Sequence, residues 1–137
     1  MIVYRSPATT AYNCIAWAAE DTRRWWWPDA MDQYYWPPGV TREETVEAFI
    51  AAYGSLGYTP CATLDQEDGY QKIVVYVGCA GKPTHAAKQI PGGRWSGKLG
   101  SAEDVEHDTP EDVSALGTEP QFHYGAVAAI LRRKVAR

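Results

Sequence analysis

Apolar positions recur with a helical period in one stretch of the chain and with strand character in another. Val46, Phe49, Ile50 and Tyr53 follow at i, i+3, i+4 and i+7, which is one face of a helix. Thr41 with Glu44 three residues on reads as a capping box, and Gly54 and Gly57 allow the helix to end before Tyr58. A shorter helix is expected to begin at Asn13, a good N-cap, and to run through Cys14-Ile15-Ala16-Trp17-Ala18-Ala19-Glu20. After Gly69 the pattern changes. Lys72-Ile73-Val74-Val75-Tyr76-Val77 is a β-branched run bounded by glycines, which predicts a buried central strand. Residues 84–89 and 94–99 predict two further strands, joined through Ile90-Pro91-Gly92-Gly93 by its turn chemistry. Thr109-Pro110-Glu111-Asp112 reads as N-cap, N1 proline and acidic first turn of a short helical piece. Residues 126–133, with a basic end, read as a terminal helix in preference to a strand. Helices followed by an antiparallel meander predict an α+β domain, its N-terminal helices packed on an antiparallel β-sheet.

Composition narrows the partners. The 137 residues are expected to form one domain, residues 1–137. A hydrophobic share of 45% with 22% charged is globular rather than disordered. Thirteen Lys+Arg against 17 Asp+Glu give a net charge of −4, with no basic footprint for nucleic acid and no polybasic patch for anionic lipid. No apolar run approaches the length of a membrane span. The N-terminus lacks the basic-then-apolar pattern of a signal peptide. A cytoplasmic location, or export by a route without a Sec signal, is therefore expected. Three cysteines are odd in number and argue against a disulfide framework. Cys61, Cys79, His85 and His107 could be weighed as a zinc set. They lack the close C-x-x-C or H-x₃₋₅-H pairs of structural sites, so neither metal nor other cofactor is expected, and Cys61 and Cys79 read as packing residues flanking the sheet. The pattern assigns no oligomeric state.

Two features carry candidate chemistry. Cys14 stands directly after an N-cap, where backbone N–H groups and the helix dipole can lower a thiol pKa. His85 lies near the start of a downstream strand, so a thiol and a base could meet as nucleophile and general base. The plainer reading makes Cys14 a small buried hydrophobe and His85 a structural residue. The second feature is aromatic: five of six tryptophans fall within the first 36 residues, and Trp25-Trp26-Trp27 is followed by Tyr34-Tyr35-Trp36. Such side chains stack on sugar rings, line peptide grooves or cover a core. Three consecutive tryptophans cannot all point inward.

Asn13-Cys14-Ile15-Ala16-Trp17-Ala18 with Thr84-His85-Ala86-Ala87 resembles the nucleophile and histidine motifs of papain-like cysteine hydrolases, nearest in pattern to the NlpC/P60 and CHAP amidases and endopeptidases. The chain also resembles an uncharacterised bacterial domain family whose pattern includes Arg24-Trp25-Trp26-Trp27-Pro28-Asp29, Ser96-Gly97-Lys98-Leu99-Gly100 and Glu103-Asp104-Val105-Glu106-His107. The papain-like resemblance implies a Cys14 nucleophile, a His85 base and a third residue on a neighbouring strand. If Gln89 faces Arg94 across the hairpin, Lys98 falls opposite His85, and a lysine cannot accept an imidazole N–H. Ser96 could accept weakly from a diagonal position. His107 or Asp104 is the better orienter, and His107 matches the Cys-His-His set of NlpC/P60.

The implied reaction is amide hydrolysis on a peptide or peptidoglycan-like stem peptide. The Cys14 backbone N–H and Asn13 would serve as oxyanion donors, in a groove drawn from Asn13, Trp17, Trp25, Trp26 and Trp95. A domain of this kind would suit a bacterial effector. The competing expectation is a non-catalytic binding module whose exposed Trp and Tyr residues hold a carbohydrate or protein partner, with Cys14 inert.

Overall fold

A computed structural model describes residues 2–6, 9–99, 103–114, 116 and 124–135. Its elements are β1 (Ile2–Ser6), α1 (Cys14–Ala18), α2 (Val46–Gly54), β2 (Thr59–Pro60), β3 (Tyr70–Val77), β4 (Pro83–Gln89), β5 (Trp95–Lys98), β6 (Asp104–His107), a 3₁₀ turn (Pro110–Val113) and β7 (Ala126–Lys134). The strands form one seven-stranded sheet in the order β1-β6-β5-β4-β3-β7-β2, every neighbour antiparallel. The two helices contribute only five and nine residues. The fold is therefore mainly β, not the α+β papain-like arrangement of helices packed on a sheet that the motifs suggested.

Four strands that the local pattern conceals, β1, β2, β6 and β7, account for the difference. β7 is Ala-rich and ends in Arg132-Arg133-Lys134, but it pairs with β3 from Tyr70↔Lys134 to Val77↔Ala126. That ladder outweighs the weak helical preference of its alanines, because strand preference is mostly packing against neighbours. β1 and β6 are short and partly polar, and they stabilise each other by pairing Ile2 with His107 and Tyr4 with Val105.

α2 also starts later than its capping box implied. Thr45 is the N-cap, its Oγ1 accepting from the Ala48 N–H at 3.1 Å. The Thr41 carbonyl instead accepts from Trp36 Nε1, and Arg42 is drawn onto Asp29. Thr41 and Arg42 are thus engaged in tertiary bonds, and residues 41–44 stay out of the helix.

Alternation along the central strands creates two apolar layers. Ile73 and Val75 of β3, Ala86 of β4 and Leu131 of β7 face the helices, joining Cys14, Ile15, Trp26, Trp36, Phe49 and Tyr53. Val74, Tyr76, Ala87, Trp95, Val105 and Val113 form the core on the opposite face. β3 is the buried central strand expected of it, with Ile73 to Tyr76 fully buried. The hairpin between β4 and β5 closes one residue away from the predicted register: Gln89 pairs with Trp95 and Lys88 with Ser96. A one-residue slip exchanges the faces of a strand, and here it puts Ser96 on the helix side and Trp95 away from it. Gly100, the last residue of one of the motifs, lies outside the described residues.

Candidate functional site: an aromatic cleft at the start of α1

α1 begins at Asn13 because that side chain is tied twice. Its Oδ1 accepts from the N–H groups of Ala16 and Trp26, both at 3.1 Å, and its Nδ2 donates to the Trp26 carbonyl at 2.7 Å. Asn13 is thus a cap and a clamp on the aromatic segment, with one of its two amide N–H groups held by the Trp26 carbonyl. Cys14 follows, 6% exposed. Burial pushes its thiol up to about 11, against the pull of the backbone N–H groups of Ala86, Ile15 and Cys14 itself. This reverses the expected acid thiol. A five-residue helix supplies little dipole, and desolvation of the thiolate is the larger effect.

The histidine is on the other face of the sheet. In the β3–β4 ladder, Val75 pairs with Ala86 and Tyr76 with His85. Ala86 turns to α1 and Cys14, so its neighbour His85 turns away. The His85 ring stacks on Tyr124 with centroids 4.0 Å apart, tilts against Tyr76 at 5.1 Å, and brings Nε2 against Gly97. It is fully buried with neither ring nitrogen hydrogen-bonded. Burial, and next the charge of His107, holds its pKa down at about 3. His107 is on the same far face. Its Nδ1 lies 2.7 Å from the Thr109 carbonyl, which only accepts, so Nδ1 carries the proton. Asp104 faces the helices instead, accepting from Tyr12 Oη at 3.2 Å and paired across strands with Lys98. Cys14 and Asp104 thus lie on one face, His85 and His107 on the other, and the expected catalytic set does not assemble. Parity along β4 is the physical reason.

The predicted groove residues separate as well. Trp95 is buried in the far core and Trp26 in the helix-side core. Trp17 stacks on Tyr12, lies under Lys88 and donates its indole N–H to Ser96 Oγ at 3.0 Å. Of the five, Trp25 and Asn13 line an open cleft. This cleft measures about 310 Å³ and is bounded by Asn13, Cys14, Trp25, Trp27, Tyr34 and Thr84.

The aromatic segment folds so as to supply two of its walls. Trp26 and Tyr35 form a bridge, with Trp27 N–H donating to the Tyr35 carbonyl and Tyr35 N–H to the Trp25 carbonyl. Extended backbone at Trp26 sends its ring inward onto Tyr53 and Trp36, and leaves Trp25 and Trp27 half-buried on the other side. Tyr34 is held by its own loop. Asp29 accepts from the N–H groups of Gln33 and Tyr34, which holds its carboxyl below the usual range. Arg42 binds Asp29, Asp32 and the Tyr34 carbonyl. Trp27, Tyr34 and Thr84 are the lining residues absent from the expected set. The tryptophan run signalled the first, but Thr84 is placed only by the strand parity that displaces His85.

A second, larger groove of about 910 Å³ lies behind the aromatic segment, lined by Ala19, Glu20, Asp21, Thr22, Arg23, Arg24, Trp26 and Leu56. Its polar rim includes the Arg24–Asp21 ion pair. Among the described residues, no group of three or more His, Cys, Asp or Glu stands together as a metal site. Cys61 and Cys79, half-buried and exposed, sit apart from the two histidines.

Comparison with known proteins gives one match. Residues 3–132 fit the family model described as a domain of unknown function (DUF7689). The chain belongs to this family. No curated protein and no solved structure matches it. For the DUF7689 chain the cleft geometry is therefore the main guide to function. Among its described residues, no helix is long and apolar enough to cross a membrane.

Proposed function

We propose that this chain is a non-catalytic binding module that holds a small ligand, or a projecting group of a partner, in the cleft over the start of α1. The observation that carries this reading is the division of labour across β4: Thr84 and Ala86 face Cys14 while His85 is walled off among Tyr76, Tyr124 and Gly97. A cysteine hydrolase needs a base within hydrogen-bond reach of its thiol and an orienter behind the base. Among the described residues the thiol has neither, whereas the aromatic walls form a concave, mostly apolar site near the lower end of the roughly 300–1,000 Å³ typical of ligand pockets.

The reactivity of Cys14 separates this reading from amide hydrolysis of a peptide or peptidoglycan-like substrate. Site-resolved alkylation by iodoacetamide across pH, read by mass spectrometry, is expected to label exposed Cys79 and leave Cys14 unmodified in the folded protein. His85→Ala is expected to bring no loss of reactivity at Cys14. Rapid alkylation of Cys14 below about pH 8.5, abolished by His85→Ala, would overturn the binding reading and restore the hydrolase.

A further inference from the structure

The chemistry of the cleft lining also selects a ligand class, on the reading that the cleft is a binding site. Two of its polar side chains are held by the protein. Asn13 gives one amide N–H to the Trp26 carbonyl and its oxygen to two backbone N–H groups. Thr84 donates its hydroxyl to the Tyr124 carbonyl.

The cleft is rich in π surface: the Trp25 and Tyr34 rings meet at a tilt with centroids 6.1 Å apart, and Trp27 lies edge-on to Phe49. Among the described residues, Arg24 lies over Tyr35, Lys88 over Trp17, Lys98 over Tyr12, Arg132 over Tyr70 and Arg133 over Tyr58. No Lys or Arg among the described residues covers Trp25, Trp27 or Tyr34, the three rings that line the cleft. None of the six lining residues is cationic or anionic at neutral pH. The loop that ends in Tyr34 sets the carboxylates of Asp29 and Asp32 against the guanidinium of Arg42. Arg23 and Arg24 turn into the separate groove.

We infer that the cleft of Trp25, Trp27 and Tyr34 binds a quaternary ammonium group, a trimethylammonium head of the choline type. Such a group carries a positive charge spread over methyls, needs no hydrogen bond and is attracted to aromatic faces. The two tryptophans supply the strongest such faces and Tyr34 a third.

The test is titration of the full chain with choline, followed by tryptophan fluorescence and calorimetry. The control is the neutral carbon isostere in which a tert-butyl group replaces the trimethylammonium. Choline is expected to saturate and to bind at least about tenfold more tightly than the isostere. Trp25→Leu and Tyr34→Leu keep apolar volume and remove the π face, and each is expected to lose most of that preference while the circular dichroism spectrum and Tm stay near wild type. Trp27 is left in place because it packs edge-on against Phe49.

Free choline and trimethyllysine are run in parallel; tighter binding of either identifies the source of the head group, and either result supports the assignment. Equal binding of choline and its isostere would overturn the ammonium assignment and leave the binding reading intact. So would saturation by N-acetylglucosamine with no response to choline. No response to any probe would overturn the assignment too, with Cys14 alkylation reporting separately on the hydrolase alternative.

Discussion

The two faces of β4 carry the same kind of strand and opposite kinds of chemistry. On the helix side, Thr84 and Ala86 meet Cys14 beneath an aromatic cleft that is open to solvent. On the far side, His85 and His107 are sealed into an apolar layer, with three ring nitrogens lacking a hydrogen bond. The helix side holds Asn13 in three hydrogen bonds and leaves a cleft lined by Trp25, Trp27 and Tyr34 open, which suits a ligand. The far side does the reverse. It buries neutral imidazoles that can only be destabilised by gaining a proton, so it makes stability depend on pH and contributes nothing to a reaction at Cys14.

Acid should break the far face first, and with the largest effect. Above about 6.5 both folded and unfolded chains hold neutral histidines. Below it the unfolded chain binds protons that His85 refuses until about 3. His107 is shifted down as well, chiefly by burial, with its bond to Thr109 opposing. Stability is therefore fully present above pH 6.5 and lost as pH falls, by about 1.4 kcal/mol per unit for each histidine held neutral. Urea midpoints measured from pH 7 to 4.5 should fall accordingly. His85→Phe, which keeps a ring against Tyr124, should flatten the decline, and an unchanged slope would refute the assignment. Among the described residues, the groups around His85 offer no compensating charge: Tyr76 and Tyr124 are raised by burial, Gly97 presents backbone, and His107 is a second base.

Trp26→Ala strikes the helix side. It removes a fully packed ring that meets Tyr53, Trp36 and Tyr35 and should cost about 3–5 kcal/mol, read as a fall in Tm with the acid dependence retained. Gly97→Ala probes the far face sterically. Its Cβ would stand 2.9 Å from His85 Nε2, inside a wedge that the Tyr124 stack keeps from yielding, so a loss of about 1–3 kcal/mol is expected. A Tm equal to wild type would mean that the ring moves easily. Asn13→Ala should have the smallest effect of the four, about 1–2 kcal/mol for a lost cap. It should also loosen Trp26, visible as weaker choline binding at unchanged acid dependence.

Much of the fold was readable one element at a time. Asn13 caps α1, Thr109 and Asp112 close on each other before the 3₁₀ turn, and Ile73 to Tyr76 are the buried centre of the sheet. Those features depend on neighbours in sequence or on a long uniform run. β1, β6 and β7 were missed because their stability comes from partners far along the chain: Ile2 needs His107, and Ala126 needs Val77. Of the cleft lining, Asn13, Cys14 and Trp25 were among the candidate residues of the sequence, and the tryptophan triplet already required that one ring point outward. Thr84 and Tyr34 were not, since one depends on strand parity and the other on the Arg42 clamp.

The sequence by itself determined the local matter: where α1 begins, which strand is central, and that an irregular aromatic segment punctuated by Pro28, Pro37 and Pro38 follows the first helix. Only the tertiary structure decided which residues share a face. A side chain in a strand has a period of two, so one step separates Ala86, beside Cys14, from His85, beyond its reach. Composition and motif spacing are blind to that step, because the face a residue takes is set by the pairing of whole strands and not by the residue itself.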